Sequence, residues 1–319
     1  MAKNNNLHNA KTTKNDEFYT RLEDIENELK YYKEHFKGKV VYCNCDGFLK
    51  KERSNFFLYF SLNYEFLGLK GLICTKYNPN GRGVKYEYYG DLNGNNYPDE
   101  EEIFTSELEG DGDFRSDECV EILKKCDIVC TNPPFSLFRQ YVAQLFEYKK
   151  DFLIIGNVNA ISYKEVFPLI KENKMWLGVS SFNNGMYFGV PDDYIYADTY
   201  KFDRERDGKK VMRVASICWF TNLDHKKRHE ELLLYKKYNA EEYPEYDNYN
   251  AIEVGKTKDI PIDYDGIMGV PITFLDKYCP TQFEIVGQMM TTKVTEFNFG
   301  YPYINGKKKF ARILIKRIS

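Results

Sequence analysis

The chain has 319 residues, 43% of them hydrophobic and 16% aromatic, enough for one large domain or two modest ones with a packed core. A formal net charge of −3 excludes a globally basic nucleic-acid binder. No run of about 18 apolar residues offers a membrane span, and the polar start lacks a secretory core, so a cytoplasmic protein with reduced cysteines is expected. The charge is uneven. Residues 99–118 hold ten acids against Arg115, whereas 305–319 hold six bases (Lys307, Lys308, Lys309, Arg312, Lys316, Arg317) and no acid. Two further basic groups lie at 201–213 and 225–229. Each reads either as a solvated loop or as local positive surface for a polyanion.

Residues 1–15, rich in Asn and Lys, are expected to form a flexible tail. Leu22, Ile25, Leu29 and Tyr32 recur three or four apart and predict a helix from Arg21 to Phe36. Residues 39–44 read as a first strand, 52–63 as a helix, and 69–75 as a second strand. Residues 78–98, with many Gly, Asn and Tyr, predict a hairpin or loop. A helix over 116–125 leads to an apolar strand at 127–131. Another helix, from about Leu137 to Tyr148, leads to the continuous apolar run 151–156, of the kind buried on both faces. This alternation predicts an α/β fold with a doubly wound, mostly parallel sheet. After residue 175 two stretches, MWLGVSSFNNGMYFGVP and VMRVASICWFTNL, read as strands forming an antiparallel edge of the same sheet. Beyond Leu223 the chain is rich in Tyr, Pro and Gly, with short apolar runs such as 269–275.

The strand at 127–131 ends in Asn132-Pro133-Pro134-Phe135. Open α/β sheets bind ligands at the carboxyl ends of their strands. The prolines fix φ and stiffen the loop. Asn132 offers a side-chain carbonyl, Pro133 a backbone carbonyl, and Phe135 a flat face. Two acceptors and a stacking plate fit a planar amine, such as that of a nucleobase pulled out of its stack. The first strand ends in Cys43-Asn44-Cys45-Asp46. No G-x-G-x-x-G fingerprint follows it, which argues against a pyrophosphate. Asp46 could instead hold an ammonium group, implying a cofactor that carries an amino acid, or serve as a plain turn or cap residue. In Asp111-Gly112-Asp113-Phe114 an acid and an aromatic could meet an adenine amine and ring, although Asp-Gly is also ordinary turn chemistry. In Asp16-Glu17-Phe18-Tyr19-Thr20, Asp16 or Thr20 could cap the following helix, or the aromatics could close over a cofactor. The spacings Cys43-x-Cys45 and Cys126-x3-Cys130 do not fit zinc knuckles, so buried thiols and no metal are expected. His8, His35, His225 and His229 lie in polar contexts and suggest no nucleophile–base pair.

In order, these motifs resemble the S-adenosylmethionine-dependent amino-methyltransferases, and more narrowly the EcoRI-type adenine-specific DNA N6-methyltransferase family. NDEFYT, DIENELKYYKEHF, KVVYCNCDG, SNFFLYF, the NPPF block, WFTNLDH and YDNYNAIEVGKTKDIPIDYDGIMGVPITFLDKYCPTQFEIVG carry the resemblance, from about residue 15 to 287. It implies a Rossmann-like, seven-stranded catalytic domain over 16–222 and a C-terminal target-recognition region over 223–319. S-adenosylmethionine is the implied cofactor. Double-stranded DNA is the implied partner, methylated at adenine N6 by base flipping, and a cognate restriction endonuclease for the same site is admitted. Asn132, Pro133, Pro134 and Phe135 match the catalytic amine-binding loop. Cys43, Asn44, Cys45 and Asp46 match the turn around the cofactor's methionine, Phe18, Tyr19 and Thr20 the N-terminal cofactor motif, and Asp113 and Phe114 the adenine-side acid and aromatic. The chain departs from the wider superfamily in lacking F-x-G-x-G in the first turn. It also lacks a ribose-binding acid at Thr75-Lys76-Tyr77, which leaves Glu87 or Asp91 as candidates. Competing readings are a methyltransferase for an RNA base or protein glutamine, and a non-catalytic nucleic-acid binder on the same fold.

Overall fold

The computed structural model describes residues 19–45, 54–95, 97–180, 182 and 185–318. The tail at 1–15, Phe18 and Asp46 lie outside them. The chain divides into two compact units, Met1–Val158 with Ser180–Leu223, and Asn159–Val179 with Asp224–Ser319. Among the described residues no helix is long and apolar enough to cross a membrane.

The first unit is built on β1 (Val40–Asn44), β2 (Gly71–Lys76), β3 (Val84–Tyr88), β4 (Ile103–Glu107), β5 (Ile128–Thr131), β6 (Asp151–Asn157) and β7 (Ile217–Thr221), in the spatial order β4-β3-β2-β1-β5-β6-β7. β2, β1, β5 and β6 are mutually parallel. β3 and β7 run antiparallel to them, and β4 pairs antiparallel with β3. The sheet is therefore large and mixed. Its central strands are apolar on both faces, and all four residues of β5 are buried. Four residues of β4 are exposed. This edge strand lies within the acidic stretch and carries no alternation that would announce it.

Among the helices of this unit are α1 (Leu22–Leu29), α2 (Asn55–Leu62), α3 (Asp117–Lys125) and α4 (Phe138–Glu147). The helix predicted from Arg21 to Phe36 is interrupted by a 3-10 turn at Lys30–Tyr32, yet Ile25, Leu29, Tyr32 and Phe36 are all buried. Ser54 and Ser116 cap α2 and α3, each hydroxyl accepting from a backbone N–H three residues on, at 3.1 and 3.3 Å.

The antiparallel edge predicted beyond residue 175 is present in Ile217–Thr221 and needs correcting elsewhere. Within this unit only Ile217–Thr221 joins the large sheet. Met186–Gly189 instead pairs with Tyr19–Thr20 on one side and Lys209–Val214 on the other, in a separate sheet. Ser216, at φ 60°, breaks the strand between Val214 and Ile217 and lets the chain change sheets.

The second unit holds a five-stranded sheet in the order Glu245–Tyr246, Tyr249–Glu253, Met268–Pro271, Arg312–Arg317, Phe283–Met289. Tyr246, Ala251, Met289, Ile304 and Leu314 form a core cluster there.

Candidate active site

The strand order reverses direction between β1 and β5. From β1 the chain crosses to β2 on one side, and it returns through α3 to β5 on the other. Such a reversal leaves a crevice beyond the carboxyl ends of the two strands, the usual ligand site of open α/β sheets. Asn44 and Thr131 are the last residues of these strands, so Cys45 and Asn132 begin the two loops that flank the crevice.

The two strand ends are joined. The Thr131 hydroxyl donates to the Asn44 carbonyl, and the Tyr141 hydroxyl donates to Asn44 Oδ1. Tyr141 is fully buried, and burial holds its phenol well above the usual tyrosine range, so it stays a neutral donor. Its ring packs edge-on against Phe114, with centroids 4.9 Å apart. Gln144, one turn further along α4, donates to the Phe114 carbonyl at 3.1 Å. Helix α4 thus ties together the end of β1, the loop after β5 and the Asp113-Phe114 segment. Sequence reading missed Thr131, Tyr141 and Gln144. Apolar periodicity announces that Tyr141 faces the core, but nothing local announces a partner 97 positions away.

In the Asn132–Phe135 loop, Asn132 is half-buried, Pro133 buried, Pro134 exposed and Phe135 half-buried. Phe135–Leu137 is a 3-10 turn, closed by Leu137 N–H donating to the Pro134 carbonyl at 2.9 Å. α4 then begins with Phe138, whose ring lies against Gly156 of β6. A Cβ on Gly156 would stand 2.5 Å from that ring and 2.9 Å from Phe220. Gly156 is therefore required for α4 to start where it does.

Cys43 and Asn44 are buried at the end of β1. Cys45 adopts φ 74°, a left-handed conformation uncommon for a residue with a Cβ. The chain thus takes this conformation at Cys45 without a glycine. Thr20 is 5% exposed, and its Oγ1 has no hydrogen-bond partner among the described residues. Its carbonyl accepts from Asn55 Nδ2 at 2.7 Å. Buried hydroxyls are rarely left unsatisfied, so this one fits a polar ligand group beside the start of α1. Tyr19 is half-buried on the same short strand.

The Asp111–Phe114 segment docks on the carboxyl end of β2. Gly112 sits at φ 82°, and a Cβ there would stand 2.6 Å from the Lys76 carbonyl. Phe114 is 4% exposed and faces Tyr141. The Asp113 carboxylate is held by Arg115 at 2.6 Å, and that guanidinium keeps it below the usual carboxylate range. Neither ribose candidate lies at this edge. Glu87 is paired in register with Ile73, toward the amino end of β2, and binds Lys85 at 2.8 Å. Asp91 Oδ1 accepts from the Gly94 and Asn95 backbone at 2.7 and 3.2 Å.

One carboxylate was not anticipated. Asp24, on the first turn of α1, lines a small cavity with Asn27, Ser180, Met186 and Trp219. Its Oδ2 is buried without a hydrogen-bond partner, and burial pushes its pKa up to about 6.

In two of the three basic groups some members are engaged within the protein, while Lys201, Arg204, Lys209 and Lys226 are exposed. In 225–229, His225 and Arg228 are buried; Arg228 stacks on Trp176 at 3.5 Å, and Lys227 binds Asp276 at 2.6 Å. In 201–213, Arg206 pairs with Asp203 at 2.8 Å and stacks on Tyr187, while Lys210 donates to the Asp192 and Tyr194 carbonyls at 2.6 Å. In the third group Arg312 is also internal, paired with Glu253.

A profile of the family described as adenine-specific methyltransferase EcoRI matches residues 6–318. The chain is 51% identical to the Type II methyltransferase M.EcoRI of Escherichia coli, over 99% of this chain and 97% of that protein. It is 38% identical to the Type II methyltransferases M.MgeORF184P of Mycoplasma genitalium and M.MpnI of Mycoplasma pneumoniae, over 97% of every chain. No solved structure matches it. With a mixed α/β sheet, an Asn-Pro-Pro-Phe loop at its switch point and relatedness along its whole length, the chain belongs to the EcoRI family of adenine-specific methyltransferases.

Proposed function

We propose that this protein transfers a methyl group from S-adenosylmethionine to N6 of an adenine flipped out of duplex DNA. The observation that carries this reading is the junction at the switch point. The amine-binding loop after β5 and the turn after β1 are joined through Thr131, Asn44 and Tyr141. In this reading the seven strands of the first unit are the methyltransferase sheet, and the region from residue 223 onward recognises the target.

Bound S-adenosylmethionine would supply an electrophilic methyl group on a sulfonium. Thr20, with its unsatisfied hydroxyl, and Asp46, with its carboxylate, fit the polar amino-acid end of that cofactor. Cys43, Asn44, Cys45 and Tyr19 would complete that end of the site, with Phe18 assigned to it by its place in the motif alone. Phe114 and Asp113 border its adenine side, with Phe114 as apolar wall. Asp113 acts through backbone and shape more than through its Arg115-bound carboxylate.

The amine of adenine is a poor nucleophile because its lone pair is delocalised into the ring. Asn132 Oδ1 and the Pro133 carbonyl would accept its two N–H bonds and draw the nitrogen toward tetrahedral geometry. Pro134 and the 3-10 turn hold those acceptors still, and Phe135 fixes the ring plane by stacking. Orientation of this kind contributes up to roughly 7–11 kcal/mol to barrier lowering. Duplex DNA hides N6 within the stack, so flipping costs a few kcal/mol that contacts elsewhere on the duplex must offset.

A methyl-incorporation assay comparing duplex DNA, RNA and total protein tests the reading. Label on adenine N6 of duplex DNA is expected, and label confined to RNA or to protein glutamine overturns it.

A further inference from the structure

Resting on that reading, we propose that the β-hairpin at 301–310 is a preformed contact for the backbone of duplex DNA, with Lys307, Lys308 and Lys309 meeting phosphates and Phe310 entering the groove between them. Tyr303–Ile304 pairs with Lys307–Lys308, and Lys309 N–H extends the ladder to the Pro302 carbonyl at 2.8 Å. Asn305 and Gly306, at φ 51° and 70°, form the tight turn that such two-residue hairpins require.

The hairpin is fastened from below. The Asp247 carboxylate accepts from the Asn305 and Gly306 backbone N–H groups at 2.9 and 2.7 Å, and the Asp247 N–H donates to the Tyr303 carbonyl at 2.8 Å. Ile304 is 6% exposed and belongs to the core cluster of this unit. The outer edge is the reverse. Lys307, Lys308 and Lys309 are exposed and pair with no carboxylate among the described residues. Phe310 is 84% exposed beside them. Lys308 is positioned over the Tyr301 ring, 3.1 Å from its centroid.

A run of lysines is most often a solvated face, and three features set this one apart. Lys227, Arg206 and Arg228 of the other basic groups are engaged by Asp276, Asp203, Trp176 and Tyr187, whereas three consecutive lysines here face solvent without a carboxylate partner among the described residues. Its backbone is anchored, so little ordering entropy remains to be lost on binding. A large aromatic stands exposed among the cations, which water alone does not favour and a nucleic-acid groove accepts. A two-stranded ribbon also has the width to enter the major groove.

The test is the salt dependence of binding to a labelled mixed-sequence duplex, measured by anisotropy for wild type and for the triple variant K307Q/K308Q/K309Q. Each lost phosphate contact lowers the slope of log K against log salt by about 0.9, so a drop of about 2–3 is expected, with affinity at least tenfold weaker at low salt. Phe310→Ser should weaken duplex binding with the slope unchanged. Both variants should keep the wild-type Tm and S-adenosylmethionine affinity, because the altered side chains are exposed. A wild type that binds duplex while the triple variant matches it in affinity and slope overturns the hairpin's role and leaves the proposed function standing. A wild type that binds no duplex overturns both. Loss confined to single-stranded RNA, with duplex affinity unmoved, overturns the DNA assignment.

Discussion

The Tyr141 hydroxyl donates to the side-chain carbonyl of Asn44, across 97 positions of sequence and inside a fully buried contact. This bond leaves the Asn44 amide N–H groups as the part of that side chain able to serve the crevice. It also fixes the start of the turn after β1 relative to the helix that follows the Asn-Pro-Pro-Phe loop. Tyr141→Phe should leave a buried acceptor unsatisfied, at about 1–3 kcal/mol. Part of that cost should appear as cofactor affinity, with S-adenosylmethionine binding weakened several-fold in calorimetry while kcat at saturating cofactor changes little. A loss of thermal stability with cofactor affinity unchanged would assign Tyr141 to packing alone.

Gly156 admits the Phe138 ring where no Cβ can stand. Gly156→Ala forces that ring, and with it the start of α4, away from β6. Overpacking of this kind costs about 1–3 kcal/mol. Because Phe138 lies three residues beyond Phe135, turnover should fall more than cofactor affinity. Steady-state kinetics beside calorimetry checks this, and a variant that is only less stable contradicts it.

Burial pushes the Asp24 carboxyl up to about 6 in the folded protein, from an ordinary value of 3.8. The folded state therefore binds this proton more tightly than the unfolded chain does. The stability it contributes is fully present below about pH 4 and is lost as pH rises through about 6. Asp24→Asn should accordingly raise Tm relative to wild type at pH 8 and leave it nearly unchanged at pH 4. Equal shifts at both pH values would show that the carboxylate is not paying a burial cost.

Arg312 and Glu253 form an ion pair in the second unit with side chains only 9% and 13% exposed, and Tyr246 donates to the same carboxylate. Arg312→Met leaves Glu253 buried and uncompensated and should destabilise that unit by about 3–5 kcal/mol. Duplex affinity of the folded variant should not move, in contrast to the hairpin lysines. Denaturant titration followed by anisotropy separates the two effects.

The alternation of elements through residue 157 was legible because buried parallel strands read as continuous apolar runs and their helices as one-sided faces. The loop at Asn132–Phe135 was legible because its residue types carry its chemistry. What stayed hidden was set by distant partners. β4 has no inward face to give it a period, and Ser216 redirects the chain through a single dihedral. The basic segments look alike as text, yet Arg228 and Arg312 are buried while Lys307, Lys308 and Lys309 face solvent. Family resemblance carried the identity of the methyl donor and of the target base, which no local spacing encodes.

The central claim, that Asn132 holds the amine to be methylated, is tested most directly by transfer of labelled methyl groups to duplex DNA by wild type and by Asn132→Ala, with S-adenosylmethionine binding measured on both. Wild type should label adenine N6 in duplex DNA. The variant should bind the cofactor normally and lose transfer by at least two orders of magnitude, on the order of other losses of a positioning contact at the reacting centre. Near-normal turnover by Asn132→Ala would contradict the account.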